Sequence, residues 1–90
     1  MTETIRVLIA DDHPVVRVGL RNMLLSDETF QVIAEARDGA EALALVKKMQ
    51  PEILLLDLAM PNMPGMEALR ELTSHETQTR TIVLTGKIEK

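Results

Sequence analysis

The sequence predicts an α/β domain built on a parallel sheet, and three observations predict it. Short apolar runs rich in branched residues recur at residues 5–10, 30–34, 52–57 and 81–85, and runs of that length read as buried strands. Stretches with apolar residues at helical spacing separate them, giving the order βαβαβαβ and three right-handed crossovers. Two of the runs end in aspartate: residues 5–10 lead into Asp11-Asp12, and residues 53–56 lead into Asp57. The ligand crevice of an open parallel sheet lies at the carboxyl ends of its strands, so three carboxylates are expected on one edge.

Each element has its own signal. After the first strand, Asp12-His13-Pro14 reads as a helix start, a polar cap followed by proline near the first helical position. The helix predicted over 14–25 carries Val16, Leu20, Met23 and Leu24 as the face to lay on the sheet. Residues 26–29 are a polar turn before the second strand at 30–34. Asp38-Gly39-Ala40-Glu41 matches a capping box, and the helix behind it, 39–49, presents Ala42, Leu45, Val46 and Met49 until Pro51 stops it. The third strand is 52–57. Pro61, Pro64 and Gly65 punctuate the next loop, and a helix over 65–73 follows with Met66, Leu69 and Leu72 inward. Residues 74–79 are wholly polar and read as a solvated connection. The fourth strand is 81–85, and a short charged tail runs from Gly86 to Lys90.

Composition narrows the function classes. Ninety residues, 46% hydrophobic, suit one small domain. Phe30 is the sole aromatic residue, so Leu, Ile, Val, Ala and six Met must build the core. The absence of cysteine excludes a disulfide framework and a thiolate metal site. A net charge of −4 argues against direct nucleic-acid binding, which wants a basic patch. No leader pattern or membrane-length apolar run occurs, and a soluble cytoplasmic domain is the expectation.

The acids carry the chemistry. Asp11 and Asp12 could be turn and cap residues, but one cap suffices and the second acid asks for another explanation. A hard divalent cation supplies it, since magnesium takes one or two carboxylates, waters and a phosphate. Asp57, directly after four apolar residues, has no capping duty within a strand. A carboxylate there can accept a phosphoryl group, with a metal neutralising the incoming oxygens. Thr85-Gly86, closing the fourth strand, offers a hydroxyl that can donate to a phosphoryl oxygen beside a residue too small to block access.

Three separated segments then carry a resemblance: Ile9-Ala10-Asp11-Asp12-His13-Pro14, the stretch from Leu56-Asp57 through Met60-Pro61 to Pro64-Gly65, and Val83-Leu84-Thr85-Gly86. Together they resemble the receiver domain of bacterial two-component response regulators. Asp-Asp-His-Pro followed by Val15-Val16-Arg17-Val18-Gly19-Leu20 is similar to the nitrate-regulator and LuxR type, whose receivers precede a helix-turn-helix DNA-binding domain. The resemblance covers essentially all of residues 1–90. It implies a flavodoxin-like, CheY-like doubly wound sheet in the order 2-1-3-4. It implies Asp57 as phosphoacceptor, Mg2+ held by Asp11, Asp12, Asp57 and the backbone carbonyl of Ala59, and Thr85 as switch hydroxyl. Met60-Pro61 and Gly65 would shape the loop behind the acceptor. A sensor histidine kinase is the implied partner.

The family pattern also exposes a departure. Receivers run to about 120 residues, within the common range for a domain. The fifth strand and last helix, with their lysine and aromatic switch partner, have no counterpart in these 90 residues, which read as about three quarters of a receiver. Lys87 and Lys90 follow the fourth strand, not a fifth, and read as solvated lysines. The fourth-strand edge and bare helix faces are expected to drive self-association. His13 reads as a helix-start residue beside the site rather than a phosphorelay donor, and His75 as a loop residue.

Other readings differ in class. A metal-dependent phosphohydrolase with an aspartyl nucleophile generally wants a second acid two residues on, where this chain has Ala59. A non-phosphorylated interaction or dimerisation module would keep only the fold. Dinucleotide binding fails because no glycine-rich turn joins the first strand to its helix.

Overall fold

The computed structural model describes residues 4–57, 60, 62, 70 and 78–84. In chain order these form β1 (Ile5–Ala10), α1 (Pro14–Leu25), β2 (Phe30–Ala36), α2 (Gly39–Met49), β3 (Ile53–Asp57) and β4 (Arg80–Leu84). The four strands make one parallel sheet in the order β2-β1-β3-β4. This is the expected flavodoxin-like α/β order. Except for Arg70, the helix expected over 65–73 lies outside the described residues, as do Ala59 and Thr85.

Strand order places the site. The chain leaves β1 toward β2, then crosses back to β3 on β1's other side, so the connections diverge between β1 and β3. Ala10 pairs with Leu56 in that parallel register. Each is followed at once by an acid, Asp11 and Asp57. The two carboxylates therefore meet at the point where a crevice must open.

Alternation assigns the two faces. Leu8 and Ala10 of β1 and Leu54 and Leu56 of β3 are buried with Ala36, Ala42, Val46 and Met60 in one cluster. Ala42 and Val46 are one turn apart on α2, so α2 covers this face. The β1–β2 register slips between Val7 and Leu8: Val7 faces Val32 and Leu8 faces Ala34, passing over Ile33. That irregularity brings Ala34 and Ala36 beside Leu8 and Ala10, where small side chains fit under α2.

The opposite face differs from expectation. Val7 and Ile9 are fully buried there, yet α1 has no fully buried residue. Val16 (42%) and Met23 (68%), expected inward, are exposed. Leu20 and Leu24 lie in the partly buried stripe as expected, and Arg17 and Arg21 complete it in place of Val16 and Met23. Glu35, paired with Ile9, is the cause. It is an acid on the face that α1 covers, so the helix turns two arginines toward it rather than its valines.

Three local readings are also corrected. Residue 13, not Asp12, occupies the N-cap position of α1 and makes no side-chain cap bond, with Pro14 in the first turn as expected. Thr79, expected in a solvated connection, is buried, and its hydroxyl donates to the Pro51 carbonyl. β2 runs two residues further than expected, to Ala36. The capping box at α2 forms, with Asp38 accepting the Glu41 N–H at 2.8 Å. Its return bond lands one residue early, on the Arg37 N–H. α2 ends at Gln50 in the left-handed conformation (φ 49°). Its last carbonyls, of Met49 and Gln50, accept from the Arg6 guanidinium at 2.6 and 2.8 Å.

Candidate functional site

The site grows from the two strand ends. Asp11 is 3% exposed and Asp57 5%. The Asp11 N–H continues the β1–β2 ladder by donating to the Ala36 carbonyl at 3.1 Å, which fixes its backbone. The Asp11 Oδ1 then accepts the His13 N–H at 2.8 Å, turning the chain into α1. This is a turn bond to the N–H of the cap residue itself, so neither acid caps the first turn of α1, and the Asp12 carboxylate takes no part in the bond.

Asp12 is the less buried of the pair, its side chain 31% exposed. Its Oδ1 is nevertheless shut off from solvent and accepts no hydrogen bond. Asp11, Asp12, His13 and Asp57 each offer a ligand atom, all within 4.8 Å of one another. Gathering carboxylates so closely is costly unless a cation neutralises them. An orphaned acid oxygen facing two further acids suits a hard divalent cation, and this acidic cluster could bind one.

Side chains that the sequence reading passed over hold the site in place. Arg17 Nη1 donates to the Asp11 carbonyl at 2.7 Å, and its Nε lies 3.2 Å from Glu35 Oε1. Arg21 meets the other Glu35 oxygen at 2.5 Å. The visible signal was two arginines four residues apart on one helix face; the partner on β2 was not visible. Across the crevice, Met60 is buried in the α2 core and its N–H bonds the Asp57 carbonyl at 3.4 Å. Asn62, with φ 53°, donates to Asp38 Oδ2 at 3.3 Å. The loop after Asp57 is thereby tied to the start of α2. Asp38 is held below the ordinary carboxyl range, first by the Glu41 backbone N–H and then by Asn62.

Among the sequence-predicted site residues, Asp11, Asp12 and Asp57 are brought together. Ala59 and Thr85 lie outside the described residues.

Comparison with known proteins agrees with this geometry. Residues 7–90 match the family model for the response regulator receiver domain. The chain is 40% identical over 85 residues to the transcriptional regulatory protein LiaR of Bacillus subtilis, covering 94% of this chain and 40% of that protein. It is 36% identical over 86 residues to the response regulator protein VraR of Staphylococcus aureus, covering 96% of this chain and 41% of that protein. The chain therefore spans about two fifths of the length of the curated relatives it matches. Among solved structures, it is similar to the signal receiver domain of the putative response regulator NarL from Mycobacterium tuberculosis. The TM-score is 0.85 at 38% identity, covering 97% of this chain and 70% of that one. It is also similar to the isolated receiver domain of RcsB from Salmonella enterica serovar Typhimurium, solved in the presence of phosphomimetic BeF3-. There the TM-score is 0.78 at 30% identity, covering 90% of this chain and 61% of that one. Acid-tipped strands at a topological switch point, and likeness along nearly the whole chain, lead to one conclusion: the chain belongs to the response regulator receiver domain family of two-component systems, its relatives being transcriptional regulators.

Proposed function

We propose that Asp57 is the phosphoacceptor of a Mg2+-dependent switch. The observation that carries this reading is the pairing of Ala10 with Leu56, which sets Asp11 and Asp57 side by side at the crevice. Asp11, Asp12 and Asp57, with the Ala59 carbonyl, would hold the metal. Mg2+, when bound, neutralises phosphoryl oxygens. An Asp57 carboxylate oxygen attacks phosphorus on a phosphohistidine of a sensor kinase, or on a small acyl phosphate. The P–N or P–O bond breaks, the donor leaves, and an acyl phosphate remains. Thr85 is assigned the switch hydroxyl that donates to the new group. The added charge of about −2 biases a two-state surface toward a partner-binding form. No external substrate is turned over beyond the phosphoryl donor.

The remaining assignments follow the relatives. Residues 1–90 act as the receiver portion of a cytoplasmic transcriptional regulator, and DNA binding belongs to an output module rather than to these residues. Among the described residues no helix is long and apolar enough to cross a membrane. A second reading, a receiver-like dimerisation module, draws support from the exposure of Ile82 and Val83 on β4. Incubation with Mg2+ and acetyl phosphate, followed by intact-mass measurement, tests the first reading. One added phosphoryl group is expected, dependent on Mg2+ and absent from Asp57→Asn. An unchanged mass, or a gain that persists in Asp57→Asn, contradicts it.

A further inference from the structure

Asn62 has no part in the phosphoacceptor reading, yet it ties the loop after Asp57 to α2. Asp38 divides its two oxygens between two elements. Its Oδ1 accepts the Glu41 N–H at 2.8 Å and caps α2, and its Oδ2 accepts the Asn62 amide at 3.3 Å. The Asn62 backbone has φ 53°, a left-handed conformation that glycine enters freely. The turn alone would therefore be met by glycine, whereas the bond to Asp38 needs the amide. Met60 supplies the loop's other hold, buried with Ala42 and Val46 of α2. Apolar burial is non-directional, so it fixes where the loop lies but not which way its peptide groups face. The Met60 N–H reaches the Asp57 carbonyl only at 3.4 Å, beyond the usual N–H···O range. Direction is left to Asn62.

We infer that Asn62 is a positioning residue for the metal site, acting through its amide bond to the α2 cap Asp38. The inference rests on the reading above, in which the Ala59 carbonyl is a ligand of Mg2+. In the chain, Ala59 lies between two fixed points. Asp57 is held in the sheet, paired with Leu84, and Met60 and Asn62 are held on α2. With Asn62 tied to Asp38, the loop is oriented before the cation arrives. Untied, the cation must order the loop itself, and affinity falls by that ordering cost. Asn62 thus contributes to binding without being assigned as a ligand.

The experiment measures Mg2+ affinity by calorimetry, and the rate of phosphorylation by acetyl phosphate as a function of Mg2+. The arms are wild type, Asn62→Gly, Asp38→Ser and the double exchange Asp38→Asn with Asn62→Asp. Circular dichroism confirms that each is folded. Asn62→Gly keeps the left-handed turn and the net charge but loses the amide. Asp38→Ser keeps a cap on α2 but has no second oxygen for the loop. The double exchange keeps the net charge and reverses the bond, with the amide on α2 and the carboxylate on the loop. Asn62→Gly and Asp38→Ser are each expected to weaken Mg2+ about three- to tenfold, the effect that one net hydrogen bond supports. The phosphorylation rate of Asn62→Gly at saturating Mg2+ should stay within about twofold of wild type, since only binding is altered. The double exchange should bind Mg2+ within about twofold of wild type, because the pair is restored. Unchanged Mg2+ affinity in Asn62→Gly overturns the inference and leaves the phosphoacceptor reading standing. A double exchange as weak as Asn62→Gly also overturns it, since the bond would then not be the means. The expected calorimetric pattern with no phosphoryl gain in wild type upholds the inference and contradicts Asp57 as the phosphoacceptor. No Mg2+ binding by wild type overturns this inference and the metal reading together.

Discussion

Arg17 and Asp11 are joined through the backbone. The guanidinium Nη1 donates to the Asp11 carbonyl at 2.7 Å while its Nε pairs with Glu35. One side chain therefore fixes the main chain at the tip of β1, the inner face of α1 and the acid of β2. The Arg17 side chain is largely buried, so water cannot readily replace these bonds. Arg17→Ala is expected to cost about 1.5–3 kcal/mol, the range for hydrogen bonds to charged groups. It should also weaken metal binding, because the Asp11–Asp12 turn loses its brace. Urea denaturation followed by circular dichroism, with a metal titration of the same variant, checks both. Arg17→Lys should recover only part, since it lacks the fork that reaches both oxygens.

The acidic cluster should trade stability against binding. Asp12→Asn removes one of the crowded charges, so the metal-free protein is expected to become more stable than wild type. The same change should abolish most of the stabilisation by Mg2+. For wild type that stabilisation reaches about 2.7 kcal/mol at a hundred times Kd. Thermal melts with and without Mg2+ measure both effects, and a variant less stable than wild type without metal would count against charge crowding.

Asp38 links pH to the start of α2. Its folded-state value is lowered, chiefly by the Glu41 N–H and next by Asn62, so its contribution is fully present above its ordinary value. That contribution is lost as pH falls through the lowered folded value. Asp27 behaves alike, held down by the backbone N–H and the hydroxyl of Thr29. Asp38→Asn keeps a cap acceptor but cannot titrate. It should flatten part of the acid limb of a stability-against-pH profile while changing neutral stability little. A profile as steep as wild type would show that other groups govern the limb.

The core tolerates little. Leu8 and Leu54 are fully buried beside one another in register, and either changed to Ala should cost about 2–5 kcal/mol. In a domain of this size that is a large share of its stability, and chemical denaturation should show it. At the sheet's other end, Ile82 and Val83 alternate on β4 and are both about half exposed. Concentration-dependent association is expected in sedimentation, and Val83→Lys should reduce it by charging the strand.

What was legible in the sequence follows from what is local. Asp11 and Asp57 could be placed because an acid ending an apolar run marks a strand's carboxyl end, and parallel strands bring such ends together. The Asp38 cap was legible because a capping box spans four residues. The inner face of α1 was not, since Glu35 turns it and Glu35 belongs to another strand. Nor was Thr79, whose polarity suggests solvent although its hydroxyl finds the Pro51 carbonyl 28 residues away. The side-by-side approach of His13 to two acids depends on how Asp11 takes the His13 N–H, a turn geometry that residue types do not encode.

Trapping the acyl phosphate tests the central claim most directly. Borohydride reduces an aspartyl phosphate to homoserine, which marks the acceptor residue itself. After incubation with Mg2+ and acetyl phosphate, peptide mapping should find homoserine at position 57. It should be absent when Mg2+ is removed and strongly reduced in Asp12→Asn. Homoserine at position 11 or 12, or no trapped residue in wild type, would contradict the assignment of Asp57 as the phosphoacceptor.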